Sequence, residues 1–175
     1  MKTKEIIWWI LLLVVIDQAT KIVIYHFYMD THFEIIPSLF EFSPVFNDKH
    51  SYVNYLLNQK LNINMGFWIH MVIFAVAECI ILALYIFLRS LSKKTKLLDT
   101  AITFQIAGLI CALLGNIVWK KGVLDFIYLK PLFIFDLKDL YNNCFVVFLL
   151  IYVHKYREKV NTTKIKEVIN LLRNR

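Results

Sequence analysis

Between Gly115 and Asp139 the chain reads GNIVWKKGVLDFIYLKPLFIFDLKD, with three aspartates, Asp125, Asp136 and Asp139, set between strongly apolar runs. Two carboxylates that converge can share one proton, because like charges at close range raise one pKa and leave the other group ionised. The ionised partner then serves as general base toward a water, and its protonated neighbour as general acid toward a peptide carbonyl. Such chemistry needs no metal, no cofactor and no serine or cysteine nucleophile. The same aspartates can instead be solvated loop charges, which is what loop carboxylates more often are. Asp139 opens an apolar run, where a helix N-terminus would favour its anion. Asp136, three residues earlier, is placed to cap that helix.

A second polar group sits in DQATK, Asp17 to Lys21, inside the first apolar run. Ionisable residues at such depth normally face a helix bundle or a wet cavity. Asp17 and Lys21 are four apart and share one helix face. They read either as an intrahelical ion pair or with Lys21, near the outer end, snorkelling to the surface. Gly115 and Asn116 in LLGNI suit close helix approach and interhelical hydrogen bonding. Glu78 lies in another apolar run with no identifiable partner. The histidines His26, His32, His50, His70 and His154 make no pair at ligand spacing. Cys79, Cys111 and Cys144 each lie in apolar runs without a CxxC or Cys/His pattern, so neither a metal site nor a disulfide framework is expected.

Positioning these groups falls to long apolar helices. The 175 residues are 59% hydrophobic, beyond the near-half typical of soluble domains, and only 4 Gly and 3 Pro interrupt them. A spanning helix needs about 20 mostly apolar residues. Four segments qualify as candidates: Ile6–Phe27, Phe67–Leu88, Leu97–Trp119 and, more briefly, about Asp139–Val153. The first is not read as a cleavable signal peptide, since its apolar stretch is long, no small-residue cleavage site follows, and it carries Asp17 and Lys21.

Lys and Arg in short connections mark the cytoplasmic side. Arg89, Lys93, Lys94 and Lys96 crowd one connection, and seven Lys or Arg follow Val153. The long connection Tyr28–Gly66 holds only Lys49 and Lys60 against Asp30, Glu34, Glu41 and Asp48. Both termini are therefore expected in the cytoplasm, with connections 28–66 and 120–138 facing outward. The net charge of +7 then reports topology, and nucleic-acid binding is not expected.

The outer connections carry their own structure. FEIIPSLFEFSPVF, Phe33–Phe46, and VLDFIYL with LFIFDL, split by Lys130-Pro131, read as short strands. They can pair into a small sheet at the membrane surface, with Tyr52–Leu61 as an interfacial helix. Asn161–Arg175 has the spacing of a basic amphipathic helix on the cytoplasmic surface, or else is a frayed tail. The expected organisation is a four-span membrane domain, 1–160, with outer loops 28–66 and 120–138, followed by a basic amphipathic cytoplasmic tail, 161–175.

The order DQATK, Asn47 in LFEFSPVFN, LLGN, VLDF and FDLKD on a four-span chain resembles the signal peptidase II (prolipoprotein signal peptidase) family over nearly the whole sequence. The resemblance implies an α-helical integral membrane protein: four transmembrane helices, a small outer β-cradle and an outer-loop helix. It implies an aspartic peptidase of the bacterial inner membrane that removes signal peptides from diacylated lipoprotein precursors before the lipid-modified cysteine. By position, the catalytic pair falls on Asp125 and Asp139. Asp17, Lys21, Asn47 and Asn116 fall on residues that hold the pair and the substrate backbone, with Asp136 and Lys120 beside them. The expected partners are lipoprotein precursors and membrane lipid; no metal, cofactor or nucleic acid is implied, and a monomer is expected.

The chain also departs from the family pattern. An Asp-Arg pair after the GN is replaced by Trp119-Lys120, and a lysine cannot copy arginine's bidentate fork. The turn after Asn47 reads Asp48-Lys49-His50 instead of containing glycine, and FNxAD reads Phe135-Asp136-Leu137-Lys138-Asp139. These changes keep open a catalytically inactive member that binds lipoproteins or scaffolds a membrane complex. An unrelated four-helix transporter subunit using Asp17, Lys21 and Glu78 is the third alternative.

Overall fold

The computed structural model describes residues 1–47, 60, 66–91, 95–119 and 122–161. The expected Tyr52–Leu61 helix (Lys60 apart), the turn after Asn47, Lys120 and the tail beyond Asn161 lie outside them.

Helix α1, Thr3–Phe27, is built inside out. Trp8, Trp9, Leu11, Leu12, Val15 and Ile16 are turned outward, whereas the buried residues are Asp17, Lys21 and Ile24. An apolar exterior around a polar inner face is what a lipid-facing helix requires. Helix α2, Phe67–Leu91, is likewise apolar on its exposed side. Helix α3, Lys96–Val118, is the central one, and the small residues Ala101, Ala107, Gly108, Cys111 and Gly115 are buried along it. Helix α4, Leu137–Asn161, packs against α3. Thr3–Phe27, Met71–Ser90 and Lys96–Val118 are long and apolar enough to cross a membrane. The α4 helix starts two residues before the expected fourth segment and continues well past Val153 into HKYREKVN, which dilutes its apolar character.

Between helices in lipid, close packing of small residues replaces the hydrophobic effect. Gly108 shows this: a Cβ there would lie 2.5 Å from Asn142 Oδ1 and 3.3 Å from the Lys138 carbonyl oxygen, so α4 comes this close only because the position has no side chain. Gly115, expected to admit a helix, instead admits a strand, since its Cβ would lie 3.1 Å from a methyl group of Val123.

The strands β1 (Phe33–Ile36), β2 (Phe40–Asn47), β3 (Val123–Leu129) and β4 (Phe133–Phe135) form one antiparallel sheet in the order β1-β2-β3-β4. The two connections thus pair with each other, through β2 and β3. The register shifts between Phe42 and Val45, around Pro44, which cannot donate to a ladder. Past that irregularity Val45 faces Asp125, so Asn47, two residues on, lies on the same face and diagonal to Asp125. Ile24, Leu124 and Phe126 form a core that ties the end of α1 to the sheet, with Phe42, Phe46 and Leu137 against it. Tyr25, Phe46 and Trp119 add an aromatic contact between α1, β2 and the end of α3, with ring centroids 5.1 to 6.1 Å apart. Farther along the bundle, Tyr141 donates to the Leu13 carbonyl and Tyr152 to the Leu88 carbonyl.

Candidate active site

Strand β4 pairs with β3 through Phe135 and Ile127, and one residue later the chain enters α4. That abrupt strand-to-helix junction carries Asp136 and Asp139 back over Asp125 on β3. A reciprocal cap fixes the junction. The Asp139 N–H donates to Asp136 Oδ1 at 3.3 Å, and the Asp136 N–H donates to Asp139 Oδ2 at 3.2 Å. Asp136 therefore caps α4, as its position suggested. One carboxylate oxygen from each of Asp125, Asp136 and Asp139 lies within 4.8 Å of the other two. Oxygens at that separation are within reach of one shared water.

Lys138 stands among the three. Its Nζ lies 2.9 Å from Asp136 Oδ1, 3.1 Å from Asp125 Oδ1 and 3.3 Å from Asp139 Oδ2. Three carboxylates make a donor set for a divalent cation, and here the Lys138 ammonium contacts all three of them. Behind Asp136, Lys21 Nζ lies 2.6 Å from Asp136 Oδ2 and 3.1 Å from Asp17 Oδ2. Gln18 Nε2 donates to that same Asp17 oxygen at 2.8 Å. The intrahelical pair expected from DQATK is present, and it extends across to the α4 cap. Lys21 does not snorkel: its side chain is fully buried, drawn inward by the second carboxylate. Asn47 Nδ2 donates to Asp125 Oδ2 at 3.0 Å, the contact that the β2–β3 register makes possible.

The cluster separates the proton affinities of its members. Burial, reinforced by the Asp136 charge and opposed by Lys138 and the Asn47 amide, holds the Asp125 carboxyl above the usual carboxylate range. Burial also opposes ionisation of Asp136, but Lys138 and Lys21 outweigh it and hold that carboxyl below its usual range. Asp136 is thus the anion of the ion-pair network, which leaves Asp125 and Asp139 as the two carboxylates that can share one proton. Asp125 is only 4% exposed and Asp139 41%, so Asp139 presents the more open carboxylate of the two.

A cavity of about 910 Å³ opens from these residues. Asn47, Asp125, Lys138 and Asp139 line it at the sheet end, together with Asn116, whose Nδ2 donates to the Ala112 carbonyl of its own helix. Gln105, Gly108, Leu109, Ala112 and Asn116 line it at helical spacing along one face of α3. At 1.5 Å per residue that face runs roughly 16 Å away from the carboxylates, between α2, α3 and α4. The arrangement is a cluster of carboxylates at one end of a long pocket with largely apolar walls.

Three features escaped the sequence reading. Lys138 touches every carboxylate of the trio, although FDLKD shows only that it lies between two of them. Gln105 of α3 donates to Glu78 Oε2 of α2 at 3.1 Å and supplies the partner Glu78 lacked in the sequence. Asp99, in the first turn of α3, is fully buried and accepts from Tyr85, Thr95 and the Met1 ammonium. Its signal was available, as an acid at the start of an apolar run just after a basic connection.

A search of curated proteins finds no match. Two solved bacterial membrane enzymes, one at 1.9 Å and one at 2.3 Å resolution, share the fold. The first superposes with a TM-score of 0.62 at 21% identity, covering 86% of this chain and 93% of that one. The second gives 0.64 at 21% identity, covering 92% and 94%. At the level of sequence, the model of the signal peptidase (SPase) II family matches residues 9–155, a stretch that holds the DQATK pair, the sheet, Asp125, Asp139 and the α4 cap. A peptidase family match of that extent shows that the chain belongs to the signal peptidase II family.

Proposed function

We propose that this protein is an intramembrane aspartic endopeptidase that removes signal peptides from diacylated lipoprotein precursors, cutting just before the lipid-modified cysteine. Family membership supports lipoprotein signal-peptide processing. The observation that carries the chemistry is the approach of Asp125 and Asp139, within 4.8 Å, at the mouth of the cavity. Asp139, the more open carboxylate, takes a proton from a water whose oxygen attacks the scissile carbonyl carbon. Asp125, the desolvated partner, gives its proton to the carbonyl oxygen. As the tetrahedral intermediate collapses, the proton on Asp139 passes to the leaving nitrogen, the C–N bond breaks, and Asp125 regains its proton from the intermediate's hydroxyl. The cycle returns both groups to their starting states.

Asp17, Lys21, Asn47, Asn116 and Asp136 act as positioning residues; Lys120, which the family resemblance sets beside them, lies outside the described residues. The apolar length of the cavity receives the acyl chains and the membrane-embedded part of the precursor. In this assignment α4 is the fourth span, residues 1–160 form the membrane domain, and the basic tail, 161–175, lies on the cytoplasmic surface. Both termini face the cytoplasm of a bacterium, the site faces outward from the inner membrane, and the protein works as a monomer.

The inactive alternative has one observation in its favour: the Lys138 ammonium contacts both Asp125 and Asp139. Expression in bacterial cells lacking their own enzyme separates the two. Precursor processing that is lost with Asp125→Asn or Asp139→Asn, at normal protein levels, is the expected result; processing unchanged by both substitutions refutes the assignment. A wild-type chain that binds precursor without shortening it supports the inactive alternative.

A further inference from the structure

Four carboxylates, Asp17, Asp125, Asp136 and Asp139, face two ammonium groups, Lys21 and Lys138. Their arrangement is directional. Asp136 turns one oxygen to Lys21 and the other to Lys138, and 2.9 Å to Asp136 is the shortest of the three Lys138 contacts. Lys21 is in turn neutralised by Asp17. Asp136 therefore bridges the two ammonium groups, and Asp17 and Asp136 together balance Lys21 and Lys138, leaving Asp125 and Asp139 over. The location of Lys138 is costly on its own terms, because a cation in the first turn of a helix opposes the helix dipole. The adjoining carboxylates offset that cost.

We propose that Asp136 and Lys138 form one charge-neutral positioning pair, which sets the pH range over which Asp125 and Asp139 together hold a single proton. The proposal rests on the proposed function, in that it takes those two carboxylates as the working pair. Lys138 lowers their proton affinity, and Asp136 moderates Lys138 by taking up its charge. Among the described residues, the groups that face the pair are Asp17 and Lys21 from α1, Asp125 from β3 and Asp139 from α4. Cys111 of α3 and Tyr141 of α4 share one buried cluster, and Glu78 of α2 and Tyr128 of β3 line the cavity.

The two members act with opposite sign. Removing the ammonium leaves the working carboxylates in a more negative field, so they bind their proton more tightly. Removing the Asp136 charge leaves Lys138 fully directed at them, so they bind it less tightly. An opposite charge at this range moves a carboxyl by roughly 1 to 3 pH units, and each unit is about tenfold in proton occupancy.

The test is a pH titration of the protonated-carboxyl infrared band of the purified full-length protein in lipid nanodiscs, which does not depend on turnover. Asp125→Asn identifies the band of the working pair. Lys138→Met is expected to move its midpoint up by at least about one pH unit and Asp136→Asn to move it down by a similar amount, each within the range for a neighbouring charge. The double variant is expected to return close to the wild-type midpoint. Asparagine is a good helix cap, so Asp136→Asn keeps the α4 junction while losing the charge. Coincident midpoints, or single variants that move in the same direction, overturn the proposal. Cleavage of a lipid-modified precursor peptide, measured in parallel, keeps the two conclusions apart. Midpoints that move in a protein that never cleaves uphold the pair and defeat the peptidase assignment. Asp125-dependent cleavage with coincident midpoints does the reverse.

Discussion

Replacing Lys21 with methionine keeps most of the side-chain volume and removes the charge. In the native protein this buried ammonium lies 2.6 Å from Asp136 Oδ2 and 3.1 Å from Asp17 Oδ2. At an effective dielectric of about 20, the closer contact alone corresponds to about 6 kcal/mol of attraction. Desolvating the ammonium offsets several kcal/mol of that, and removing one partner of a buried pair costs about 3–5 kcal/mol net. The lower end applies here, because both stranded carboxylates keep a partner: Asp136 retains Lys138 at 2.9 Å, and Asp17 retains the Gln18 amide at 2.8 Å. A loss of about 3 kcal/mol in a chain of this size lowers the unfolding midpoint by roughly 6–12 °C. Thermal unfolding of the purified protein in detergent, followed by circular dichroism, measures this directly. Adding Asp17→Asn to Lys21→Met removes one of the stranded charges, so the double variant should recover part of the loss. A single variant that melts within about 2 °C of wild type, or a double variant less stable than the single, would refute the reasoning, since either shows that Lys21 is not a buried bridge.

Three further predictions follow from the same contacts. Gly108→Ala places a methyl against Asn142 Oδ1 and should cost about 1–3 kcal/mol by overpacking, with Asn142→Ala in the same chain relieving most of it; melting temperatures of the set decide. Asn47→Ala removes the amide that donates to Asp125 Oδ2, so the Asp125 anion loses support, its carboxyl rises further above the usual range, and the pH optimum of processing should move upward. The folded value of Asp136 lies below its unfolded value, so its contribution to stability is complete above the ordinary carboxylate pKa, near about 4, and is lost as the pH falls through the folded value. Asp136→Asn should therefore flatten the acid side of the stability–pH curve, a change that chemical denaturation at a series of pH values would register.

The parts of this structure that were legible in the sequence are those written in long runs. Unbroken apolar stretches located α1, α2 and α3 to within a few residues. Short β-branched and aromatic runs between Pro and Gly located β2, β3 and β4, and the apolar segments in both outer connections anticipated their pairing. The motif order placed Asp125 and Asp139 together before any contact was visible. What the sequence withheld was the direction taken by flexible or featureless positions. Lys21 could equally turn outward or inward, and the choice was made by Asp136, a residue on a distant element. Lys138 sits between two aspartates in FDLKD, yet its reach to Asp125 depends on how α4 leaves the sheet. The neighbour of a glycine is invisible to local pattern, so Gly115 was assigned a helix and met Val123, while Gly108, which does face a helix, carried no signal. The contact between Glu78 and Gln105 depends on the relative rotation of two helices, which an all-round apolar surface does not record.

The most direct test of the central claim is to incubate the purified protein with a synthetic peptide that carries a signal sequence and a diacylglyceryl-modified cysteine, and to weigh the products by mass spectrometry. The account predicts one cut, on the amino side of the modified cysteine, made by the wild-type chain and abolished by either Asp125→Asn or Asp139→Asn. Peptide that remains whole with the wild-type chain, or cleavage that survives both substitutions, would contradict it.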